Sequence, residues 1–326
     1  MHQGSKNPES VGLGIDLGGT KIAGALFDSE GMVSPKKVLY LENKTGHEVG
    51  EQIFMIIESF LDWASKNSMQ INTLGVAVPG IHYLKTGRVW APNIPGWDDF
   101  PLLEELNDKF ENMDISIDSD RACYILGETW KGSAIGCKHV IFLAVGTGIG
   151  AGILIDGQIL RGADDIAGAI GWWALTDPFI PAYKKHGCFE YHASGPGITR
   201  TAKDIKAHDS EFSKDADQLA AEQMMPNDIF KALKEGNPLA KKVIDQSIRF
   251  WGKASANLVS LFNPEKIIFG GGVFGPAVQF LDEIFLEAKK WAQPVSIDKV
   301  KFEPSKLGSD AGLYGAGFLS LKSKKI

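Results

Sequence analysis

The chain has 326 residues, of which 44% are hydrophobic and 23% charged, and its formal net charge is −6. This composition is ordinary for a globular protein, and the length is enough for two domains with a large buried core. The acidic balance argues against a nucleic-acid partner. Because no apolar stretch reaches the length of a membrane span and the first nine residues hold no signal core, we expect a cytoplasmic protein without a membrane partner. Three widely spaced cysteines predict no disulfide framework.

Two apolar runs near the start of the chain enclose the first candidate anion site. Residues 11–15 and 22–27 are rich in small and branched apolar residues, so each predicts a strand, and the glycine pair between them predicts a tight turn. Backbone N–H groups, a hydroxyl and an ammonium at such a turn can bind a phosphate, and a carboxylate can hold a bridging cation. An ordinary hairpin with a polar tip is the alternative. The residues concerned are Asp16, Gly18, Gly19, Thr20 and Lys21.

Helices and strands alternate through the rest of the first half. Residues 48–67 carry apolar side chains at helical spacing and predict a helix. Residues 73–78 predict a buried strand that Pro79 and Gly80 close, and a short strand over 115–117 leads to a helix over 121–131. This alternation is typical of an α/β fold.

A second strand-to-glycine turn opens the second half. Residues 140–145 form a continuous apolar run that enters Gly146, Thr147 and Gly148, and residues 151–157 lead out of the turn. Two hairpins of one design, one in each half, predict a duplicated fold that grips a polyphosphate between its halves.

The remaining elements are mainly helical. Residues 267–269 predict a strand that runs into Gly270, Gly271 and Gly272, where the absence of side chains would let an adenine ring lie flat against the backbone. No low-complexity linker is present, so we place the domain boundary near residue 120. One domain would hold residues 1–120 and 308–326, and the other residues 121–307. The predicted helices are 227–235, 239–262, 277–291 (opening near Pro276) and 312–321.

These segments resemble the ROK family of bacterial sugar kinases and glucokinases, within the sugar kinase and actin-like ATPase superfamily. The resemblance implies an α/β fold of two duplicated actin-like (ribonuclease H-like) domains with a cleft between them. It also implies an ATP-dependent, glucokinase-like kinase that uses ATP and Mg²⁺, with Mg²⁺ near Asp16 largely through water, and a possible homodimer. The matching segments are residues 16–21, 91–97, 146–162, 187–190 and 308–316.

Asp120 is the predicted catalytic base. Phosphoryl transfer to a hydroxyl needs a group that orients the attacking oxygen and accepts its proton, and a carboxylate at a strand end can do both. The family segment reads Asn-Asp-Ala, and this chain has Ser119, Asp120 and Arg121. Ser119 would replace the sugar-contacting asparagine with a hydroxyl. Helix capping is the alternative role for Asp120.

Three other positions are expected to contact the substrate. Gly80 follows a predicted strand, and Asn93 lies in a proline-bounded loop where its amide could bind a sugar hydroxyl or stabilise a turn. Glu190 matches the family glutamate that accepts hydrogen bonds from the sugar. A surface glutamate on a helix is the alternative.

The chain departs from the family at the sugar site. Typical members carry Glu-x-Gly-His after the second hairpin, and both charged residues reach the sugar. This chain has Ala169 and Trp172 at those positions. We expect the indole of Trp172 to face the pocket and that of Trp173 to pack in the interior.

The family zinc motif, Cys-x-Cys-Gly-x-x-Gly-Cys, keeps only its last cysteine, Cys188. Pro181 and Tyr183 occupy two other cysteine positions. Because tetrahedral zinc needs four nitrogen or sulfur ligands, and His186 is better explained as a polar loop residue, we expect no structural zinc site.

Other function classes fit less well. Gly270, Gly272 and Gly275 have the spacing of a dinucleotide fingerprint, but an oxidoreductase would leave both hairpins unexplained. Family members that are repressors carry an N-terminal helix-turn-helix, and only about fifteen residues precede Asp16. A kinase acting on a sugar or sugar derivative is therefore the main hypothesis. A catalytically weak sugar-binding or sensor protein is the alternative.

Overall fold

A computed structural model describes residues 9–208, 212 and 225–322. The chain divides into two compact units. Unit 1 contains the described residues of Met1–Ile135, Arg161–Ala167 and Asp310–Ile326, and unit 2 those of Gly136–Leu160 and Gly168–Ser309. This division differs from the boundary that the sequence suggested near residue 120, because the helix that begins there belongs to unit 1.

Unit 1 is built on a six-stranded sheet. Its strands are β1 (Glu9–Leu17), β2 (Lys21–Asp28), β3 (Gly31–Met32), β4 (Lys37–Tyr40), β5 (Met69–Val78) and β8 (Asp114–Ser119), with β6 (Ile81–Tyr83) and β7 (Arg88–Trp90) as a separate hairpin. Its helices are α1 (Gly46–Lys66), α2 (Leu102–Lys109), α3 (Asp120–Lys131) and α11 (Ala311–Lys322). The sheet order is β3-β2-β1-β5-β8, and β4 also pairs with β2. The predicted hairpin, helices and strands of this half are confirmed to within a few residues.

Strand direction brings three chain segments to one edge of this sheet. β1 pairs with β5 in parallel, and β5 with β8 in parallel. In register, Asp16 lies opposite Ala77, and Ala77 lies opposite Asp118. Because parallel strands end at the same edge, Asp16, Gly80 and Asp120 are all placed there.

The two faces of β1 pack against different helices. Val11, Leu13 and Ile15 are buried in the hydrophobic cluster that contains α1. Side chains alternate along a strand, so the intervening glycines face the other way, towards α11. A Cβ added at Gly14 would lie 2.6 Å from the backbone nitrogen of Gly317, and one at Gly75 in β5 would collide with the Ala316 carbonyl. These glycines allow α11 to lie directly on the sheet.

Helix α3 joins unit 1 through α11. The backbone of Cys123 leaves no room for a Cβ at Gly315. The Trp130 ring contacts those of Tyr314 and Phe318, with centroids 6.1 and 5.7 Å apart. This packing explains why the unit extends past residue 120.

Unit 2 repeats the arrangement on a five-stranded sheet. Its strands are β9 (Val140–Val145), β10 (Ile149–Ile155), β11 (Gln158–Ile159), β12 (Lys266–Gly270) and β13 (Lys301–Pro304), in the order β11-β10-β9-β12-β13. Its helices are α4 (Tyr183–His186), α5 (Cys188–Ala193), α6 (Gly195–His208), α7 (Pro226–Lys234), α8 (Pro238–Phe262), α9 (Leu281–Lys289) and α10 (Pro294–Ile297). As in unit 1, an antiparallel pair, β9 and β10, is followed by strands parallel to the first.

The predicted helix over 277–291 is shorter than expected. A 3₁₀ segment occupies Pro276–Phe280, and α9 begins only at Leu281. Pro276 favours a first helical turn but has no N–H to donate. Within the described ranges, no helix combines the length and the apolar character that a membrane span requires.

The close contact of β5 with α11 gives a stability prediction. Gly75→Ala should lower the free energy of unfolding by about 3 kcal/mol, because the added methyl meets backbone atoms of α11 that cannot rotate away. Urea unfolding measures the change. Gly275→Ala is the control, since its methyl would meet only an ordinary contact at 3.5 Å. Equal stability of the two variants would contradict the packing described for α11.

Candidate active site

Asp16 lies near the end of β1, against the start of α11. A Cβ built on Gly312 would lie 2.7 to 2.8 Å from the atoms of the Asp16 carboxyl group. Burial, together with the negative charge of Asp120, raises the pKa of Asp16 from 3.8 to about 7, although Lys21 opposes the shift. Asp16 is therefore close to half ionised at neutral pH. A divalent cation would favour its ionised form.

The tip of the first hairpin is open to solvent. Gly18 donates its N–H to the Lys21 carbonyl at 2.9 Å, which closes the turn. Gly19, Thr20 and Lys21 are exposed. A Cβ on Gly19 would lie 3.3 Å from the Cβ of Asn93, so the proline-bounded loop contributes Asn93 beside the hairpin. The predicted anion-binding residues and one predicted substrate residue are thus neighbours.

Asp120 is the first residue of α3, and Ser119 caps that helix. The Ser119 hydroxyl accepts the N–H of Ala122 at 3.3 Å, so the cap that sequence reasoning considered for Asp120 is supplied by its neighbour. The Asp120 carboxylate accepts the Tyr124 hydroxyl at 3.2 Å and the Arg121 N–H at 2.7 Å. Burial raises the pKa of Asp120, and Arg121 partly offsets the increase. Such a carboxylate is held in place and accepts a proton more readily than one in water.

Gly80 has a backbone conformation that favours glycine, and there is no space for a side chain at this position. Its φ is +126°, and a Cβ there would collide with the Trp90 carbonyl. The Gly80 carbonyl accepts a hydrogen bond from the Arg121 guanidinium at 3.3 Å. The loop after β5 is therefore tied to the start of α3, beside Asp120.

A buried ion pair next to Asp120 was missed from the sequence. Arg161 binds Asp118 through two hydrogen bonds of 2.7 and 2.5 Å, and Asp118 is 2% exposed. The Asp165 carboxylate accepts the Leu84 N–H at 3.0 Å. Together these bonds hold Arg161–Ala167 in unit 1. The available signal was Asp118 directly after the predicted strand over 115–117, because a carboxylate that becomes buried there requires a partner.

His82 in β6 was also missed. It is 6% exposed, and neither ring nitrogen has a hydrogen-bond partner among the residues that the structure describes. Burial lowers the pKa of the imidazole, while the nearby Asp118 opposes this. His82 is therefore a neutral buried side chain beside the Asp118–Arg161 pair.

In unit 2, Glu190 is bound to the second hairpin. Its carboxylate accepts the N–H of Ile149 at 2.7 Å, and a Cβ on Gly148 would lie 2.9 Å from its Oε2. Burial raises the pKa of Glu190, and the Ile149 N–H lowers it. Glu190 is thus a half-buried group that faces the exit of the turn, and it is not a free surface glutamate.

Three glycine-bearing segments of unit 2 meet at the end of β9. Gly146 donates to the Gly148 carbonyl at 2.9 Å and accepts the N–H of Gly195, the first residue of α6, at 2.8 Å. Gly271 has a φ of +88°, and a Cβ there would lie 2.5 Å from the Val145 carbonyl. Thr147, Gly148, Gly271 and Gly272 are exposed. The second hairpin, the Gly270–Gly272 turn and the α6 N-terminus therefore form one surface.

Trp172 ends a 3₁₀ turn, Ile170–Trp172, beside Glu190. A Cβ on the preceding Gly171 would lie 3.0 Å from the Glu190 carboxylate. The indole of Trp172 is 56% exposed, whereas Trp173 packs on the unit 2 core. Trp172 is thus available to a ligand near Glu190.

The segment over 181–188 does not provide a zinc ligand set. Cys188 is buried and is its only cysteine. The Tyr183 hydroxyl lies 2.7 Å from Nε2 of His192. Across the described residues, no group of three His, Cys, Asp or Glu side chains comes together to hold a metal ion. This donor set does not fit tetrahedral zinc.

Comparisons with known proteins identify the family of the chain. The ROK family model matches residues 12–323. The glucokinase of Halalkalibacterium halodurans is 32% identical over 313 residues, which cover 94% of both chains. A crystal structure of a ROK family glucokinase from Streptomyces griseus, in complex with glucose and AMPPNP, has a TM-score of 0.76 at 28% identity and covers 96% of this chain and 99% of that one.

A repressor is also similar to the chain. The xylose repressor of Caldicellulosiruptor bescii is 31% identical over 280 residues, which are 84% of this chain and 68% of the repressor. The two mixed sheets and the kinase structures confirm the predicted actin-like α/β fold. Since the family match spans almost the whole sequence, the chain belongs to the ROK family.

Proposed function

We propose that this protein is a carbohydrate kinase that transfers the γ-phosphoryl group of ATP to a hydroxyl of a sugar or sugar derivative. The observation that carries the proposal is the pair of carboxylates, Asp16 and Asp120, at one edge of the unit 1 sheet beside the glycine hairpin. Glucokinases match the chain over most of its length, which supports the same activity. The free cysteines favour a reducing compartment such as the cytoplasm.

The phosphate groups of ATP would contact the glycine turns. In unit 1, the backbone N–H groups of the exposed residues Gly19 and Thr20 suit phosphate oxygens, and the Lys21 ammonium adds charge. In unit 2, the exposed residues Thr147 and Gly148 offer the same kind of donor. The α6 N-terminus at Gly195 would add favourable helix-end polarity. The Gly270–Gly272 turn would receive the adenine ring.

Asp16 has the chemistry that Mg²⁺ requires. The oxygen atoms of its carboxylate are hard ligands. Its side chain is partly exposed, and with a pKa of about 7 it is near half ionisation at neutral pH. When bound, Mg²⁺ would neutralise charge on the phosphate oxygens of ATP. Asp16 would hold it, largely through water.

Asp120 would act as the general base. As the sugar oxygen forms its bond to the γ-phosphorus and the bond from that phosphorus to the ADP oxygen breaks, the hydroxyl proton passes to the Asp120 carboxylate. Tyr124 holds one carboxylate oxygen in place. Gly80, Asn93 and Ser119 in unit 1, and Trp172 and Glu190 in unit 2, are the proposed sugar-contacting residues.

An ADP-release assay against a panel of monosaccharides, amino sugars and polyols tests the function directly. We expect one or more compounds to release ADP in proportion to phosphorylated product. Sugar binding without phosphorylation would instead support the sensor alternative, for which the loss of the family glutamate and histidine at Ala169 and Trp172 is the favouring observation.

Asp120→Asn should lower kcat by about 10²–10⁴-fold, the usual contribution of a positioned base. The amide can still accept the Tyr124 hydroxyl, so the fold and the affinity for ATP should be unchanged. Steady-state kinetics and calorimetric ATP titration measure both. Asp62→Asn, on the exposed face of α1, is the control. Near-normal turnover of the Asp120 variant would remove this residue from the mechanism.

Asp16→Asn should change stability in a pH-dependent way. A carboxyl group whose pKa rises from 3.8 to about 7 on folding stabilises the folded state at low pH, and that contribution, up to about 4 kcal/mol, is lost as pH rises through 7. The variant should therefore be more stable than the wild type at pH 8, with the difference shrinking towards pH 4.

Urea unfolding of both proteins across this pH range, without nucleotide, measures the effect. In parallel, Mg²⁺-dependent ATP binding to the wild type should weaken as pH falls below 7, because protons compete with the cation. A stability difference that is constant with pH would show that Asp16 has no raised pKa.

Trp172 should make glucose a poor substrate. Replacing a carboxylate and an imidazole by Ala169 and Trp172 removes two polar partners, and each buried hydroxyl left unpaired costs about 1–3 kcal/mol. A flat indole suits a deoxy, N-substituted or larger glycosidic substrate. We expect such a compound to exceed glucose at least tenfold in kcat/KM, about 1.4 kcal/mol.

The double variant Ala169→Glu, Trp172→His restores the family pattern and should raise kcat/KM for glucose about tenfold or more. Trp291→His replaces another exposed tryptophan and is the control. A wild-type KM for glucose well below 1 mM, with efficient turnover, would contradict the prediction.

A further inference from the structure

Helix α5 carries Glu190 but is too short to be stable alone. It spans six residues, Cys188–Ala193, and follows α4 directly through Gly187, whose φ is +72°. Isolated helices shorter than about 12 residues are marginal in water, so contacts with other elements must hold α5 in place. The bond of Glu190 to the Ile149 N–H depends on those contacts.

One side-chain hydrogen bond joins α4 to α5. The Tyr183 hydroxyl lies 2.7 Å from Nε2 of His192. Burial beside Cys188 raises the pKa of Tyr183 to about 12, so the phenol keeps its proton. Burial lowers the pKa of His192, so the imidazole is neutral and can accept a hydrogen bond from the Tyr183 hydroxyl.

Aromatic contacts fix the orientation of both partners. The His192 ring stacks on Phe250 of α8, with centroids 4.7 Å apart and planes 10° apart. The Tyr183 ring meets those of Tyr191 and His192 edge to face, at 5.4 and 5.6 Å. Such pairs stabilise by about 0.5–1.5 kcal/mol beyond their buried area.

Arg200 of α6 completes the arrangement. Its guanidinium lies 4.1 Å from the centre of the Tyr191 ring and donates to the Tyr191 carbonyl at 2.6 Å. Tyr183, Tyr191, His192, Arg200 and Phe250 are called the Tyr183 cluster below. The cluster attaches α5 to α4, α6 and α8 at once.

The Tyr183 cluster occupies the segment in which the family carries its zinc motif. Tyr183 stands at a cysteine position, and its hydroxyl is engaged with His192. Cys188, the cysteine of the family motif that this chain keeps, is buried, with 4% of its surface exposed. A metal ion there would cross-link the segment through coordinate bonds, whereas this chain links α4 to α5 through a hydrogen bond and ring packing.

We propose that the Tyr183–His192 hydrogen bond replaces the metal cross-link, and that Tyr183 and His192 are positioning residues for Glu190. The role in substrate binding rests on the proposed function, in which Glu190 contacts the sugar. The effect on the Glu190–Ile149 bond does not depend on that function.

Tyr183→Phe is the main test, because it removes one hydroxyl and keeps the ring. Tyr191→Phe is the matched control, since the Tyr191 hydroxyl enters none of the contacts described for the cluster. Hydrogen exchange of the Ile149 amide, measured by NMR or by mass spectrometry of a peptide that contains it, reports on Glu190 without any substrate. We expect exchange at Ile149 to accelerate at least fivefold in Tyr183→Phe and to stay unchanged in Tyr191→Phe.

Kinetics separates positioning from general destabilisation. With glucose and with the best compound of the sugar panel, Tyr183→Phe should raise the KM for the sugar about five- to tenfold. The kcat and the KM for ATP should change less than twofold. His192→Phe should behave like Tyr183→Phe, and the double variant should be no worse than either single variant. His192→Gln, which retains an acceptor, should recover part of the loss.

Several results would overturn the proposal. Unchanged Ile149 exchange in Tyr183→Phe would show that the hydrogen bond does not position Glu190. One zinc ion per chain by elemental analysis, with unfolding by a chelator, would show that a metal performs the cross-link. If the wild type phosphorylated no sugar, the proposed function would fail, and the exchange experiment would still decide the role of Tyr183.

Discussion

A largely buried carboxylate near the end of β1 is the constraint on which the unit 1 site depends. Asp16 can be buried there because Gly312 leaves room for it and because glycines in β1 and β5 let α11 lie directly on the sheet. Its burial, and its repulsion by Asp120, make the ionised form unfavourable without a cation. The same packing that lets α11 lie on the sheet therefore also raises the pKa of Asp16.

The two units share one arrangement of strands but differ in the residues at the strand ends. Each has an antiparallel pair with a glycine turn, followed by parallel strands. In unit 1, charged side chains stand at the strand ends, whereas in unit 2 the corresponding region is lined by backbone and by Glu190. One arrangement of strands is thus combined with two different sets of side chains at the strand ends.

Local patterns in the sequence were sufficient for the strands, the hairpins and the position of Asp120. Continuous apolar runs and helical spacing, with glycine turns between them, depend on residues close in the chain. Asp118 and Arg161 are 43 residues apart in the chain, and Leu84 and Asp165 are 81 residues apart. No local sequence pattern can therefore predict these two contacts. The predicted boundary near residue 120 differs from the division into two units for the same reason, since α3 belongs to unit 1 through its contact with the distant α11. The sequence suggested capping as an alternative role for Asp120, whereas in the structure Ser119 is the cap of α3.

The late position of α11 in the chain has a consequence for biosynthesis. Helix α11 covers the face of the unit 1 sheet formed by β1 and β5, yet the ribosome makes all of unit 2 between α3 and α11. During that interval Phe27 and Ala77 lack the α11 residues that pack against them, Leu313 and Ala316, whereas unit 2 can pack as soon as β13 emerges. Unit 1 is thus begun first and completed last. Until α11 is made, unit 1 is the part of the nascent chain in which a chaperone would find exposed apolar surface.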